Sequence, residues 1–338
     1  MSATLSDHEQ MDNRAADNLV KVEGLAVDFG TKGWRSSPVR IVDSVSFGIG
    51  RGETLGLVGE SGSGKSTIAR AMLGLVPASA GSVHIDNVDL LKLSRKALRK
   101  HRQHAQMVFQ DPFSSINPSM IVRDIIGEPI DVHERIGRKA RNQRVYELLD
   151  AVRLPRRVQD RYVHEFSGGQ RQRIAIARAL ATNPRLVICD EAVSALDVST
   201  QNQIIELLDE LSKQFQLSYL FISHGLDVVR YISERVAVLY LGKLVEIGPS
   251  SRIYGHPAHP YTRALLDASP VPNPRIQRAK TGSGVRGEPA DPAKRPTGCP
   301  FVDRCPIATT KCRTEAPELR PVQGGGEVAC HYPLEPTR

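Results

Sequence analysis

The 338-residue sequence contains no run of about 18 uncharged apolar residues, which excludes a membrane-spanning helix. Its first 18 residues, MSATLSDHEQMDNRAADN, have no apolar core of the kind a secretory signal needs, and they read as a disordered leader. Five cysteines are too few for a disulfide scaffold, so a reducing cytosol is the expected compartment. There is no internal repeat and no sustained heptad pattern. What is present is ordinary for a globular protein: 40% hydrophobic and 24% charged residues, enough apolar side chain for a sizeable core. Disorder throughout is thereby excluded. The net charge of +8 fits nucleic acid, an anionic membrane face or neither, and selects no partner by itself.

From Leu19 the pattern becomes β-like, LVKVEGLAVDF and then VRIVDSVSFGI, with a turn-rich linker over Gly30–Pro38. TLGLVG reads as a buried strand ending in a glycine turn, and STIARAMLGLV as the helix after it. Strand, glycine loop and helix open a doubly wound α/β domain. A basic stretch follows, LLKLSRKALRKHRQ; its Arg95, Lys96, Arg99, Lys100 and Arg102 read as a solvated helix face, with contact to anionic lipid as the alternative. Residues 118–158 read as mostly helical. Ser167 is an N-cap for a helix that Pro184 ends. LVICDE and YLFISH read as buried strands, STQNQIIELLDELSKQF as an amphipathic helix, and VAVLYLGKLVEIG as a hairpin around Leu241-Gly242. Residues 269–300 are crowded with Pro, Gly and basic side chains, the composition of a linker.

Gly59-Glu60-Ser61-Gly62-Ser63-Gly64-Lys65-Ser66, followed by Thr67, completes the pattern G-x-x-x-x-G-K-[ST]. Glycines let backbone N–H groups surround a phosphate, the helix N-terminus adds positive potential, Lys65 reaches the β- and γ-phosphates, and Ser66 binds Mg²⁺. Asp190 and Glu191 end the strand LVICDE, where a nucleotide site of this class needs acids. Asp190 holds Mg²⁺ through water, and Glu191 is the general base for the attacking water. Ser167-Gly168-Gly169-Gln170 opens the helix that leads into that strand.

With these motifs in this order the chain resembles the ATP-binding cassette (ABC) ATPases. The resemblance implies an α/β P-loop NTPase fold over residues 19–266, with a RecA-like core, an antiparallel β subdomain and a helical subdomain at about 112–170. It assigns Gln110 to the Q-loop, where it would join Ser66 and Asp190 at Mg²⁺. It assigns Ser194-Ala195-Leu196-Asp197 to the D-loop and His224 to the switch histidine that contacts the γ-phosphate. Phe29 is matched to the aromatic that stacks on adenine, in preference to Trp34. Ala192 and Gly225 depart from the family's usual Pro and Asp, at positions without a chemical role. The resemblance also implies that Ser167, Gly168, Gly169 and Gln170 contact the nucleotide of a second cassette, related or identical.

FQDPFSSINPSM, HPAHPYTRALL and GCPFVDRCP extend the resemblance to the ATPase subunits of bacterial dipeptide and oligopeptide importers, a branch that includes nickel and glutathione systems. Its members work with two permease subunits and an extracytoplasmic binding protein at the cytoplasmic face of the membrane. A permease helix is expected near Phe113–Pro118, and no nucleic acid is implied. Residues 267–338 match the branch's C-terminal extension. Its Cys299, Cys305, Cys312 and Cys330 are spaced C-x5-C-x6-C-x17-C. Four thiols in so small a module can bind a four-iron–four-sulfur cluster or Zn²⁺, with reduced thiols or disulfides as further alternatives, and the resemblance to a branch with iron–sulfur members implies the cluster. Close C-x2-C pairs, usual for structural zinc, are missing. Cys189 reads as core packing. A cassette acting on ribosomes or DNA is the rival reading; a single uninterrupted cassette without heptads disfavours it.

Overall fold

The computed structural model describes residues 18–30, 38–111, 115–268 and 291–335. The leader, Trp34, Phe113 and most of the 269–300 stretch lie outside the described residues. In chain order the first elements are β1 (Asn18–Phe29), β2 (Val39–Gly50), β3 (Thr54–Val58), α1 (Lys65–Met72), β4 (Ala80–Ile85), β5 (Val88–Asp89), α2 (Arg95–His101) and β6 (Ala105–Val108). Next come α3 (Val122–His133), α4 (Arg138–Ala151), α5 (Gly168–Leu180), β7 (Leu186–Asp190), α6 (Val198–Phe215) and β8 (Ser218–Ser223). The chain continues with α7 (Leu226–Ile232), β9 (Arg235–Tyr240), β10 (Lys243–Pro249), α8 (Ser250–Gly255) and α9 (Pro260–Ala268). It closes with α10 (Thr310–Thr314), β11 (Arg320–Pro321) and β12 (Glu327–Val328). No helix among the described residues is long and apolar enough to cross a membrane.

These elements form two compact units, and the chain passes between them several times. The first comprises the segment up to Lys21, Gly48–Thr54 and His84–Ile222. Here β7 lies between β6 and β8, parallel to both, with Ala105 opposite Leu186 and Asp190 opposite Ile222. Every residue of β7 and β8 is buried, which is why both read as continuous apolar runs rather than alternating ones. Helix α3 packs against α4 and α5. Helix α2 buries none of its residues, so its basic run is a solvated face. Helix α5 stops at Leu180, short of Pro184, and Asn183 takes a left-handed φ of 49°. Proline disfavours the α-helical region for the residue before it, which keeps Asn183 out of the helix.

The second unit comprises Val22–Phe47, Leu55–Val83 and Ser223–Arg338. In it β9 runs parallel to β3, with Val58 opposite Val238, and β10 folds back antiparallel on β9. Leu241 and Gly242 make the hairpin turn with φ of 46° and 72°, the two left-handed residues a tight hairpin favours. Only glycine suits position 242, because a Cβ there would lie 1.9 Å from the Ile41 carbonyl oxygen. β12 adds to the free side of β10, pairing Glu246 with Val328, and β11 adds to β12. The C-terminal residues are thus a continuation of the sheet that carries β3. The wholly buried Glu246 accepts from Arg252 Nη1 at 2.6 Å, from the Ala258 N–H at 2.7 Å and from the His259 N–H at 3.0 Å.

Candidate functional site

In the second unit, β3 is buried at all five positions and delivers the chain into the loop Gly59–Gly64. A Cβ at Gly59 would meet the Leu239 carbonyl oxygen at 2.2 Å, and Gly64 caps α1 with φ of 106°. These two requirements explain why the motif needs glycine at its first and last loop positions. The Gly242 N–H donates to the Ser63 carbonyl at 2.8 Å, tying the loop to the β9–β10 turn. Lys65 is buried, and its Nζ donates to the carbonyls of Gly59 and Glu60, both at 2.8 Å. Those bonds shape the loop around the ammonium group. Ser66 and Thr67 follow in the first turn of α1. Phe29 ends β1 with 46% of its surface exposed, an unusual position for a large apolar ring. His224 is exposed directly after β8.

In the first unit, Asp190 is buried at the end of β7 and Glu191 leaves the strand with φ of 48°. A left-handed glutamate is strained, and such strain clusters where a side chain has to be aimed. Several bonds hold it. The Glu191 N–H donates to the Ile222 carbonyl at 3.0 Å, the Ser194 hydroxyl donates to the Glu191 carbonyl at 2.9 Å, and Gln110 Nε2 donates to Glu191 Oε2 at 2.8 Å. The structure therefore joins Gln110 to the general-base candidate across a separation of 81 residues in the chain. Asp197 caps α6, and its carboxyl is held below the usual range by the Thr200 N–H and then the Thr200 hydroxyl. Ser167 caps α5, accepting from the Gln170 N–H at 3.4 Å, while Gln170 Oε1 accepts from the Ser167 N–H at 3.1 Å. This reciprocal box leaves Ser167, Gly168 and Gln170 exposed. Gly169 is where α5 meets α6, since a Cβ there would lie 2.4 Å from Thr200 Cγ2. A cavity of about 630 Å³ in this unit lies at the opposite ends of β7 and β8, beside Arg185 and Ser218, away from the carboxylates.

A family model described as "ABC transporter" matches residues 42–194, and one described as "Oligopeptide/dipeptide transporter, C-terminal region" matches residues 245–312. The oligopeptide transport ATP-binding protein AppF of Bacillus subtilis is 50% identical over 294 residues, covering 87% of this chain and 89% of its own. A Brucella ovis relative named for peptide import and ATP binding is 48% identical over 313 residues, 92% of this chain and 97% of its own. The chain belongs to the ABC transporter ATPases. Among solved structures, the cassette MJ0796, a post-hydrolysis dimer bound to ADP and Pi, superposes with a TM-score of 0.62. It shares 29% identity and covers 68% of this chain and 98% of its own. The chain is an ATPase with the mixed α/β cassette fold.

Beyond the matched cassette, the four C-terminal cysteines line one cavity of about 10 Å³, together with His259 and Phe301. All four are free of disulfides; Cys299, Cys312 and Cys330 are buried and Cys305 is half-buried. Burial pushes the Cys299 thiol up to about 11 and raises those of Cys305 and Cys330. Backbone N–H groups two residues ahead oppose the shift: Phe301 for Cys299, Ile307 for Cys305 and Tyr332 for Cys330. Among the described residues no three His, Cys, Asp or Glu side chains are arranged to hold a single metal ion. Cys189 is fully buried, its thiol pushed up to about 12 by burial and then by Asp190, as core packing requires. Sequence reasoning about this cassette passed over Tyr240, Tyr261 and Arg304, all of which meet the phosphate loop or its neighbours. No local pattern marks them, because Glu60 lies 201 residues from Tyr261 and 244 from Arg304, and Tyr240 meets Arg304 across 64.

Proposed function

We propose that this chain is the ATP-hydrolysing subunit of a transporter that imports di- and oligopeptides across the cytoplasmic membrane. The observation that carries the reading is one pairing: an intact phosphate loop and catalytic carboxylate together with a C-terminal region of the oligopeptide/dipeptide transporter type. In this reading Lys65 neutralises the β- and γ-phosphates, and Ser66, Gln110 and Asp190 are the ligands for Mg²⁺, which offsets the charge of the phosphates. Glu191, aimed by Gln110, takes a proton from the attacking water; the hydroxide joins the γ-phosphorus and ADP departs. His224 contacts the γ-phosphate and Phe29 stacks on adenine. The Ser167-Gly168-Gly169-Gln170 cap faces the nucleotide of a second cassette, related or identical.

The subunit works at the cytoplasmic face with two permease subunits and, through them, an extracytoplasmic binding protein. A cavity of about 600 Å³ lined by Met120, Asp124, Asp131, Arg141 and Tyr162 follows the 115–118 segment and supports docking of a permease helix there. The C-terminal cysteines are read as the site of a four-iron–four-sulfur cluster held by Cys299, Cys305, Cys312 and Cys330. The donor set fits: four thiols on one cavity, three accepting backbone N–H bonds of the kind that tune cluster sulfurs. A single zinc ion with Zn–S bonds of about 2.3 Å needs a tighter gathering of sulfurs. Such a cluster supplies one-electron chemistry or a structural crosslink, separate from ATP hydrolysis.

The deciding experiment is uptake by the complete transporter in vesicles. ATP-dependent accumulation of a labelled tripeptide, lost in a Glu191→Gln complex, is the expected result. Uptake of nickel or glutathione in place of peptide would move the cargo to the other systems of the branch. Purification with ribosomes or DNA instead of membrane subunits would sink the transporter reading.

A further inference from the structure

The phosphate loop of this cassette carries a carboxylate, Glu60, inside a motif built to receive a polyanion. An uncompensated carboxylate there repels nucleotide phosphates over the whole loop. The second unit supplies the compensation from its C-terminal end. Arg304 Nη1 donates to Glu60 Oε2 at 2.8 Å and Nη2 donates to Glu60 Oε1 at 3.0 Å, the two-pronged geometry in which guanidinium–carboxylate pairs are strongest. The Arg304 side chain is only 9% exposed. Its Nη1 also donates to Tyr240 Oη at 3.2 Å. The Glu60 N–H donates to Tyr261 Oη at 2.9 Å, and Tyr240, Tyr261 and Phe301 pack ring on ring with centroids 4.6 to 5.3 Å apart. The Glu60 carbonyl is in turn one of the two that hold Lys65 Nζ. Glu60 is thus gripped at its side chain and its N–H by residues outside the loop, while its carbonyl orients the catalytic-loop lysine.

We infer that Arg304 is a positioning residue for nucleotide binding: it neutralises Glu60 and holds the phosphate loop in shape, making the cysteine-bearing C-terminal region a working part of the ATP site. The inference rests on the reading that the loop Gly59–Ser66 binds the nucleotide phosphates. Arg304 directly precedes Cys305, so the wall of the cysteine cavity is one peptide bond from the residue that grips the loop.

The test is ATP affinity of the full chain, measured by titration for the wild type, Arg304→Gln, Arg304→Lys and the double variant Glu60→Gln/Arg304→Gln. Arg304→Gln is expected to weaken binding about tenfold, with the loss shrinking as salt is raised. The double variant is expected to recover most of that loss, because the exposed charge is removed along with its partner. Arg304→Lys, which keeps the charge and loses the fork, is expected to fall between. A double variant as weak as Arg304→Gln, or an Arg304→Gln that binds like the wild type, would overturn the inference. If Arg304→Gln alone does not fold, recovery of folding and binding in the double variant supports the same coupling, and failure of both variants overturns it. Lys65→Ala separates the underlying reading: wild-type binding by that variant would refute the phosphate loop itself, whatever Arg304 does.

Discussion

Glu191 is the side chain proposed as general base. Its left-handed backbone and its bond from Gln110 hold the carboxylate in one orientation. Glutamine at this position keeps the shape and a hydrogen-bonding carbonyl but accepts no proton. Glu191→Gln is therefore expected to retain ATP affinity and lose turnover by about 10²-fold or more in the assembled transporter, the range typical of a removed general base. A phosphate-release assay at the wild-type rate would contradict the role. Lys65→Ala is expected to differ in kind: it removes the buried ammonium proposed to meet the phosphates, so affinity should fall along with turnover.

Helix α5 combines a solvent-facing cap with a tightly packed second residue, and substitutions separate the two. Ser167→Arg removes the cap, at a cost of about 1 kcal/mol, and places a bulky cation on the face assigned to the partner's nucleotide. ATP binding by the isolated subunit is expected to persist while hydrolysis by the assembly falls; loss of binding in the isolated subunit would contradict action in trans. Gly169→Val instead drives a side chain into Thr200, prying α5 from α6, and its expected signature is a lowered melting temperature. The element β10 holds the other vulnerable point. Glu246 is completely buried, and removing its charge strands Arg252, which is itself 5% exposed at the side chain. Breaking such a pair costs about 3–5 kcal/mol, so Glu246→Ala is expected to lower the denaturation midpoint far more than a surface substitution does. An unchanged midpoint would mean that Arg252 finds another acceptor.

For the whole molecule, the C-terminal region is where composition and order have to be reconciled. It is rich in Pro and Gly, yet Cys299, Cys312, Cys330, Phe301 and Val328 are buried and β12 extends the sheet through β10. Ring packing of Tyr240, Tyr261 and Phe301 and the Arg304–Glu60 pair supply part of its order. Protein purified without oxygen is expected to be brown, with iron and sulfide in equal amounts and broad absorbance near ~400 nm. Colourless protein with stoichiometric zinc would transfer the site to zinc. Metal-free protein with a folded C-terminal region would leave the aromatic packing, the ion pair and the β10–β12 pairing as its support.

The phosphate loop, the strand-ending acids, the α5 cap and the Leu241-Gly242 hairpin were legible in sequence because each depends on neighbours a few residues apart. Glycine at a left-handed turn, serine ahead of a glutamine three positions on, and an unbroken apolar run before two acids each have local physical causes. The same locality keeps Asn183 out of α5, since the proline acts on the residue before it. Long-range pairings left no such trace. Gln110 meets Glu191 across 81 residues, and Arg304 meets Glu60 across 244. The cysteine spacing left cluster, zinc and free thiols open, whereas the folded chain brings all four thiols to one cavity. Charge compensation inside the phosphate loop belongs to this second group: a carboxylate and a guanidinium carry no mark of each other in sequence, and only the fold of the C-terminal region onto the β3–β9 sheet makes them neighbours.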